Sequence, residues 1–196
     1  MVLRAKPEKV EERERTRHAL LRATLLLAAK HGFAGLGLRE VARGAEIAPT
    51  SFYRHFTDME ELGLALVDEL VAPFLQDWLV RTQAGLEHSD RPAYTLVEQA
   101  FATLRRDRDL MRFVLAERVG AITSCRLSLR SSLAKWAESL GASSRIVAQP
   151  VAEIVLFLLL ENLSEALESE SREQASMRRL EQQLSYVLAA PTRTAP

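Results

Sequence analysis

The chain has 196 residues, 47% of them apolar, enough to bury a real core and to imply a folded, soluble protein. Only 8 Gly and 7 Pro interrupt a composition rich in Leu, Ala, Glu and Arg, so the expected fold is all-α. The 26 Lys and Arg equal the 26 Asp and Glu, but 11 basic and 6 acidic residues lie through Phe56 against 15 and 20 beyond it, so a basic head suited to a polyphosphate partner precedes an acidic body.

Residues 1–12 are charged, contain Pro7 and have no apolar period, which reads as a mobile basic arm. From Arg13 to Lys30, Leu20, Ala23 and Leu27 recur at helical spacing, and Gly32 stands where a residue tolerating positive φ ends a helix. Leu38, Val41, Ala42 and Ala45 share one stripe of a short second helix, which leaves Arg39, Glu40 and Arg43 outside. Pro49 suits the first turn of a third helix, whose Phe52 and Phe56 lie four apart and face one core.

Thr57 and Glu60 form a capping-box pattern for a fourth helix, which Pro73 either ends or kinks before Phe74 and Trp78. Further helices are expected near 92–106, 108–118, 122–140, 145–167 and 172–189, giving about nine in all. The division read from this pattern is an arm over 1–12, a helix-turn-helix head over 13–56, a helical body over 57–190 whose first helix connects the two, and a tail over 191–196.

Cys125 is the only cysteine, which excludes an internal disulfide or a thiolate zinc cage and suits a reducing cytosol, with the thiol in the core. The N-terminus lacks the apolar stretch of a signal peptide. The longest apolar run, Ile154 to Leu160, is too short to span a bilayer, so a cytoplasmic protein without a membrane partner is expected. His18, His31, His55 and His88 are scattered without ligand spacing, and no Walker loop, dinucleotide fingerprint or paired-ligand motif occurs. The sequence therefore points away from an enzyme and calls for no cofactor and no metal.

The stretch from Leu38 to Phe56 has the form of a helix-turn-helix. Thr50, Ser51, Tyr53, Arg54 and His55 remain exposed on the third helix, a set of donors that reaches phosphates and base edges, with Arg39 and Pro49 beside it. A helical adaptor binding only proteins is the competing reading, and it leaves this surface without purpose.

Phe52-Tyr53-Arg54-His55-Phe56, following Leu38-Arg39-Glu40-Val41-Ala42, resembles the recognition segment of the TetR family of repressors. The wording of 38–42 and 47–56, followed by Glu61-Leu62-Gly63-Leu64, looks like the branch that represses unsaturated-fatty-acid synthesis, and Phe113 to Gly120 is similar to a stretch of that branch's effector domain. The resemblance implies that Tyr53 and His55 hold operator phosphates, that Thr50, Ser51 and Arg54 lie nearest the bases, and that Thr16 and Arg17 touch backbone phosphates. The family usually has glycine in the turn where this chain has Glu46; a non-Gly residue at positive φ there costs on the order of 1 kcal/mol.

The resemblance also implies a homodimer on double-stranded, palindromic operator DNA, built from the last two helices of each copy. Leu156, Phe157 and Leu160 on one helix and Met177, Leu180, Leu184 and Val187 on the other suit that interface, or else pack within one subunit. A small hydrophobic effector, such as a fatty acyl-coenzyme A, is expected among Phe74, Trp78, Phe101, Leu104, Phe113, Glu117 and Phe157, side chains that serve equally as core. Arg105, Arg106, Arg108 and Arg112 form a cluster fit either for coenzyme phosphates or for a solvated face. Glu117 and Arg118 are read as an ion pair or an effector contact.

Overall fold

The computed structural model describes residues 7–144, 147–149 and 151–189. Among them the chain is all-helical: α1 (Pro7–His31), α2 (Leu38–Gly44), α3 (Pro49–Phe52), α4 (Met59–Leu66), α5 (Ala72–Glu87), α6 (Pro92–Arg106), α7 (Arg108–Glu117), α8 (Thr123–Ser143), α9 (Val151–Glu168) and α10 (Glu170–Ala189). A π turn, Val67–Val71, joins α4 to α5 without leaving helical backbone angles, so α4, the turn and α5 form one rod. With the rod counted once and the short 3-10 turn Phe33–Gly35 set aside, the described residues hold nine helical units, as the periodicity predicts.

α1 begins at Pro7, not at Arg13, which corrects the reading of a mobile arm over residues 7–12. Proline's fixed φ suits a first turn, charged residues are good helix formers, and Glu11 pairs with Arg15 one turn on at 3.6 Å. Residues 1–6 of that arm and the 191–196 tail lie outside the described residues. The helix stops where expected: the Gly32 N–H reaches Ala28 O at 2.8 Å and its φ is 75°.

The rod's N-terminus is capped one residue later than Thr57 and Glu60 suggest. Asp58 accepts the Glu61 N–H at 2.8 Å, and Glu61 Oε2 accepts the Thr57 N–H at 2.6 Å, which holds the Glu61 carboxyl below its ordinary pKa. Pro73 does not end the rod. It cannot donate, and in a regular α-helix its ring meets the carbonyl four residues back; the chain widens ahead of it, where the Ala72 N–H bonds Val67 O five residues back. α9 starts six residues later than predicted, because the chain after α8 turns, with the Val147 N–H donating to Ser144 Oγ at 3.0 Å.

A single apolar core runs from head to body, from Leu20, Val41, Phe52 and Phe56 through Leu62 and Leu66 to Trp78, Phe101 and Leu133. At Gly63 the packing is tight: an added Cβ would lie 2.5 Å from both Cys125 Sγ on α8 and the Phe33 ring in the head. Cys125 is the buried free thiol that the sequence suggests, and burial beside Glu117 pushes its pKa up to about 11.

Candidate nucleic-acid interface

α2 lays Val41 and Ala42 inward, and Gly44 permits its close approach to α1, since a Cβ there would already touch Leu27 Cδ1 at 3.3 Å. The chain then reverses at Glu46, whose φ is 58°, while the Ile47 N–H reaches back to Ala42 O at 3.0 Å. The turn thus falls where the helix-turn-helix reading put it, on a glutamate in a conformation that favours glycine.

α3 is short and finishes in tight turns, with the Arg54 N–H bonded to Ser51 O at 3.1 Å and the His55 N–H to Phe52 O at 2.8 Å. Phe52 and Phe56 are fully buried and pack ring to ring at 5.8 Å, so they fix which face of α3 turns outward. That outward face carries Pro49, Thr50, Tyr53 and Arg54, all exposed, with Ser51 half-buried between them. Tyr53 is 65% exposed and leans edge-on against Phe52 at 5.7 Å, a buried anchor under an exposed hydroxyl. Arg39 on α2 is exposed as well, and neither it nor Arg54 has a carboxylate partner among the described residues.

Three of the expected contact residues also make contacts within the protein. The Thr16 hydroxyl donates to Glu12 O at 2.9 Å within α1. Arg17 faces inward: its Nε donates to Glu69 Oε1 at 3.0 Å and to Oε2 at 3.3 Å, its Nη2 also meets Glu69 Oε1, its Nη1 donates to His55 O at 3.1 Å, and its plane lies 4.4 Å over Phe56. The Glu69 hydrogen bond raises the Arg17 pKa, and the guanidinium is committed to the protein. His55 is half-buried with Nδ1 enclosed and unpaired, and desolvation, then Arg13 and Arg17, lower its pKa, so it is neutral near pH 7. Sequence reasoning missed Arg13, whose Nη2 donates to Arg54 O at 3.3 Å, and Glu69, which lies 52 residues from its partner.

In the body, Phe74, Trp78, Phe101, Leu104 and Phe113 are all buried and packed as core. Trp78 stacks on Trp136 at 4.7 Å, and Phe113 meets Phe33 of the head edge-on at 6.4 Å. Phe157 does not join them; it is 60% exposed on α9. A groove of about 750 Å³ lies elsewhere, between the C-terminal ends of α5 and α8, lined by residues such as Gln83, Leu86, His88 and Ser143. Glu117 and Arg118 do not pair: Glu117 Oε1 accepts the Phe33 N–H at 3.0 Å, and Arg118 Nη2 reaches Glu161 Oε1 at 2.9 Å. Arg105 and Arg106 are neutralised by Glu173 and by Asp77 and Asp107.

Four of the side chains expected at a dimer interface, or else within one subunit, are buried inside the chain, where α9 and α10 pack on each other and on the body. Leu180 and Leu184 are fully buried and Leu156 and Leu160 nearly so, while Met177 and Val187 are half-buried. The exposed large apolar side chains of these two helices are Ile154, Phe157 and Tyr186. Among the described residues no helix is long and apolar enough to cross a membrane.

Residues 20–66 match the model of the bacterial regulatory proteins of the tetR family. Over the whole chain the fold is similar to that of the fatty acid degradation regulator FadR from Bacillus halodurans, with a TM-score of 0.68 at 16% identity over 96% of this chain and 98% of that one. A TetR transcription regulator from Haloarcula marismortui superposes with a TM-score of 0.65 at 16% identity, over 88% and 96% of the two chains. The multidrug binding protein EbrR, solved with imidazole, gives 0.64 at 21% identity over 95% and 93%. At these identities the likeness is one of fold.

Proposed function

We propose that this chain is a homodimeric transcription repressor that grips palindromic operator DNA through α2 and α3 and releases or tightens that grip when a small hydrophobic effector enters the body. The observation that carries the reading is the outward face of α3, where Thr50, Tyr53 and Arg54 stand exposed over the buried Phe52 and Phe56 in a tetR-family domain. Those groups suit phosphates and base edges, and a short helix of this kind fits the major groove. One such helix discriminates little sequence, whereas two copies read half-sites about 34–36 Å apart. Ile154, Phe157 and Tyr186 give α9 and α10 an apolar outer face on which a second copy can pair.

The effector class follows the branch resemblance and the fatty-acid regulator among the similar folds: a fatty acyl-coenzyme A is our choice. In the closed body Phe101, Leu104 and Phe113 are core, so an acyl chain must part α6 and α7 to reach them. That requirement gives the ligand different affinities for the open and closed forms, without which no ligand shifts an equilibrium.

The test is enrichment of a random duplex library on the purified protein, with and without a mixture of long-chain acyl-coenzyme A. A palindrome is expected, with retention changed by the acyl-coenzyme A. No enriched sequence would overturn operator binding in favour of a protein adaptor, and an enriched palindrome indifferent to the mixture would overturn the effector class alone.

A further inference from the structure

Arg17 lies on α1 in the head and Glu69 in the π turn, the one irregular segment of the rod that joins head to body. Their contact is not a simple surface pair. Both oxygens of Glu69 take the Arg17 Nε–H, at 3.0 and 3.3 Å, while Nη1 of the same guanidinium holds His55 O at 3.1 Å and its face covers Phe56 at 4.4 Å. His55 and Phe56 are where α3's turns end, and the next carbonyl back, Arg54 O, is held by Arg13. The last carbonyls of the recognition segment are thus bonded by two arginines of α1, and one of these is anchored to the π turn. With side chains only a quarter and a third exposed, Arg17 and Glu69 lie mostly out of solvent, and a neutralised, committed guanidinium is a poor phosphate ligand.

We infer that Glu69 is a positioning residue for operator binding: by holding Arg17 against the His55 carbonyl, it fixes the C-terminal end of the recognition segment to the rod that enters the body. The inference rests on the operator-binding reading above. It opposes the simpler role for Arg17, direct contact with a DNA phosphate, and the two roles predict opposite effects of removing the Glu69 charge. If Arg17 touched phosphate, Glu69 would compete with the DNA, and its neutralisation would strengthen binding. If Glu69 positions the segment, its neutralisation weakens binding although Glu69 itself never meets DNA.

The experiment uses the full-length protein and the operator duplex recovered by enrichment, with affinity measured between about 50 and 200 mM salt, where each phosphate contact contributes close to one unit of slope. Glu69→Gln, nearly isosteric, is expected to lower affinity about tenfold with an unchanged salt slope. Arg17→Ala combined with it should be no worse than Arg17→Ala alone, as for two residues acting through one contact. Glu69→Asp, which keeps the charge, should recover part of the loss. Unchanged or raised affinity in Glu69→Gln, with a salt slope smaller by about one in Arg17→Ala, would overturn the inference and restore the phosphate role. A second readout needs no DNA: amide hydrogen exchange over residues 54–56 of free Glu69→Gln should be faster than in the parent. Unchanged exchange there overturns the positioning role even if no operator is found, whereas the absence of an operator with faster exchange condemns the DNA reading and not the clasp.

Discussion

The carboxylate of Glu117, on α7 of the body, accepts the backbone N–H of Phe33, two residues beyond α1 in the head, at 3.0 Å. Phe33 N–H has no helical partner of its own, so a side chain 84 residues away completes it, and Gly120 leaves the space that the carboxylate's second oxygen occupies. The ring of the same Phe33 packs against Gly63.

Replacing Glu117 with Ala removes the acceptor and leaves a buried N–H unsatisfied, at a cost of about 1–3 kcal/mol. Glu117→Gln keeps an acceptor oxygen and is expected to cost less. Denaturant titration of the two variants checks the order; equal losses would mean that a neutral amide oxygen does not replace the carboxylate as acceptor.

Glu46 stands at φ 58° in the turn between α2 and α3. Glycine adopts this conformation without the steric cost an L side chain bears, so Glu46→Gly should raise stability by up to about 1 kcal/mol, offset in part by the greater freedom of the unfolded chain. A shift of the urea midpoint to higher concentration at unchanged slope is the expected result. Glu46→Val, β-branched, should move it the other way.

His55 gives stability a pH dependence of definite sign. Its folded pKa lies below the ordinary 6.5 because burial, Arg13 and Arg17 disfavour the charged ring. The unfolded chain therefore takes up the proton first. Stability is fully present above about pH 6.5 and declines as pH falls from there through the folded pKa. Urea midpoints measured from pH 7.5 down to 5.5 should fall, and the fall should be shallower in His55→Gln.

Cys125 is buried with a thiol pKa pushed up to about 11, so little thiolate is present near neutrality. Reaction with a maleimide should be slow in the native protein and rapid in denaturant. Fast native labelling would mean that the contact at Gly63 opens often.

The exposed and buried faces of α9 and α10 separate two kinds of variant. Phe157→Glu should yield folded monomers at micromolar concentration, with melting lowered only by the lost association, since the side chain is 60% exposed. Leu184→Ala, within the subunit core, should cost about 2–5 kcal/mol while leaving the association state of the folded protein intact. Light scattering and thermal melting distinguish them.

The helix-turn-helix was legible because Val41, Ala42, Phe52 and Phe56 recur at helical spacing and Pro49 and Gly32 punctuate it. Periodicity says which side chains are apolar and on which stripe, but not what they meet. Leu184 and Phe157 look alike in a helical pattern, yet one is buried within its own subunit and the other faces out. The π turn was hidden for a related reason: a single extra residue in the turn shifts the stripe too little to stand out, so Pro73 read as a stop or a kink. Arg17 read as a solvent-facing cation because its carboxylate lies 52 residues onward, and nothing local announces a pairing at that distance.

The rod of α4, π turn and α5 has arms of unequal length. At 1.5 Å per residue, the 8 residues of α4 make an arm of about 12 Å and the 16 of α5 one of about 24 Å. Pivoted at the π turn, such a rod is a two-to-one lever whose long arm lies in the body and whose short arm lies in the head. A given rotation about the π turn would carry the far end of α5 about twice as far as Met59.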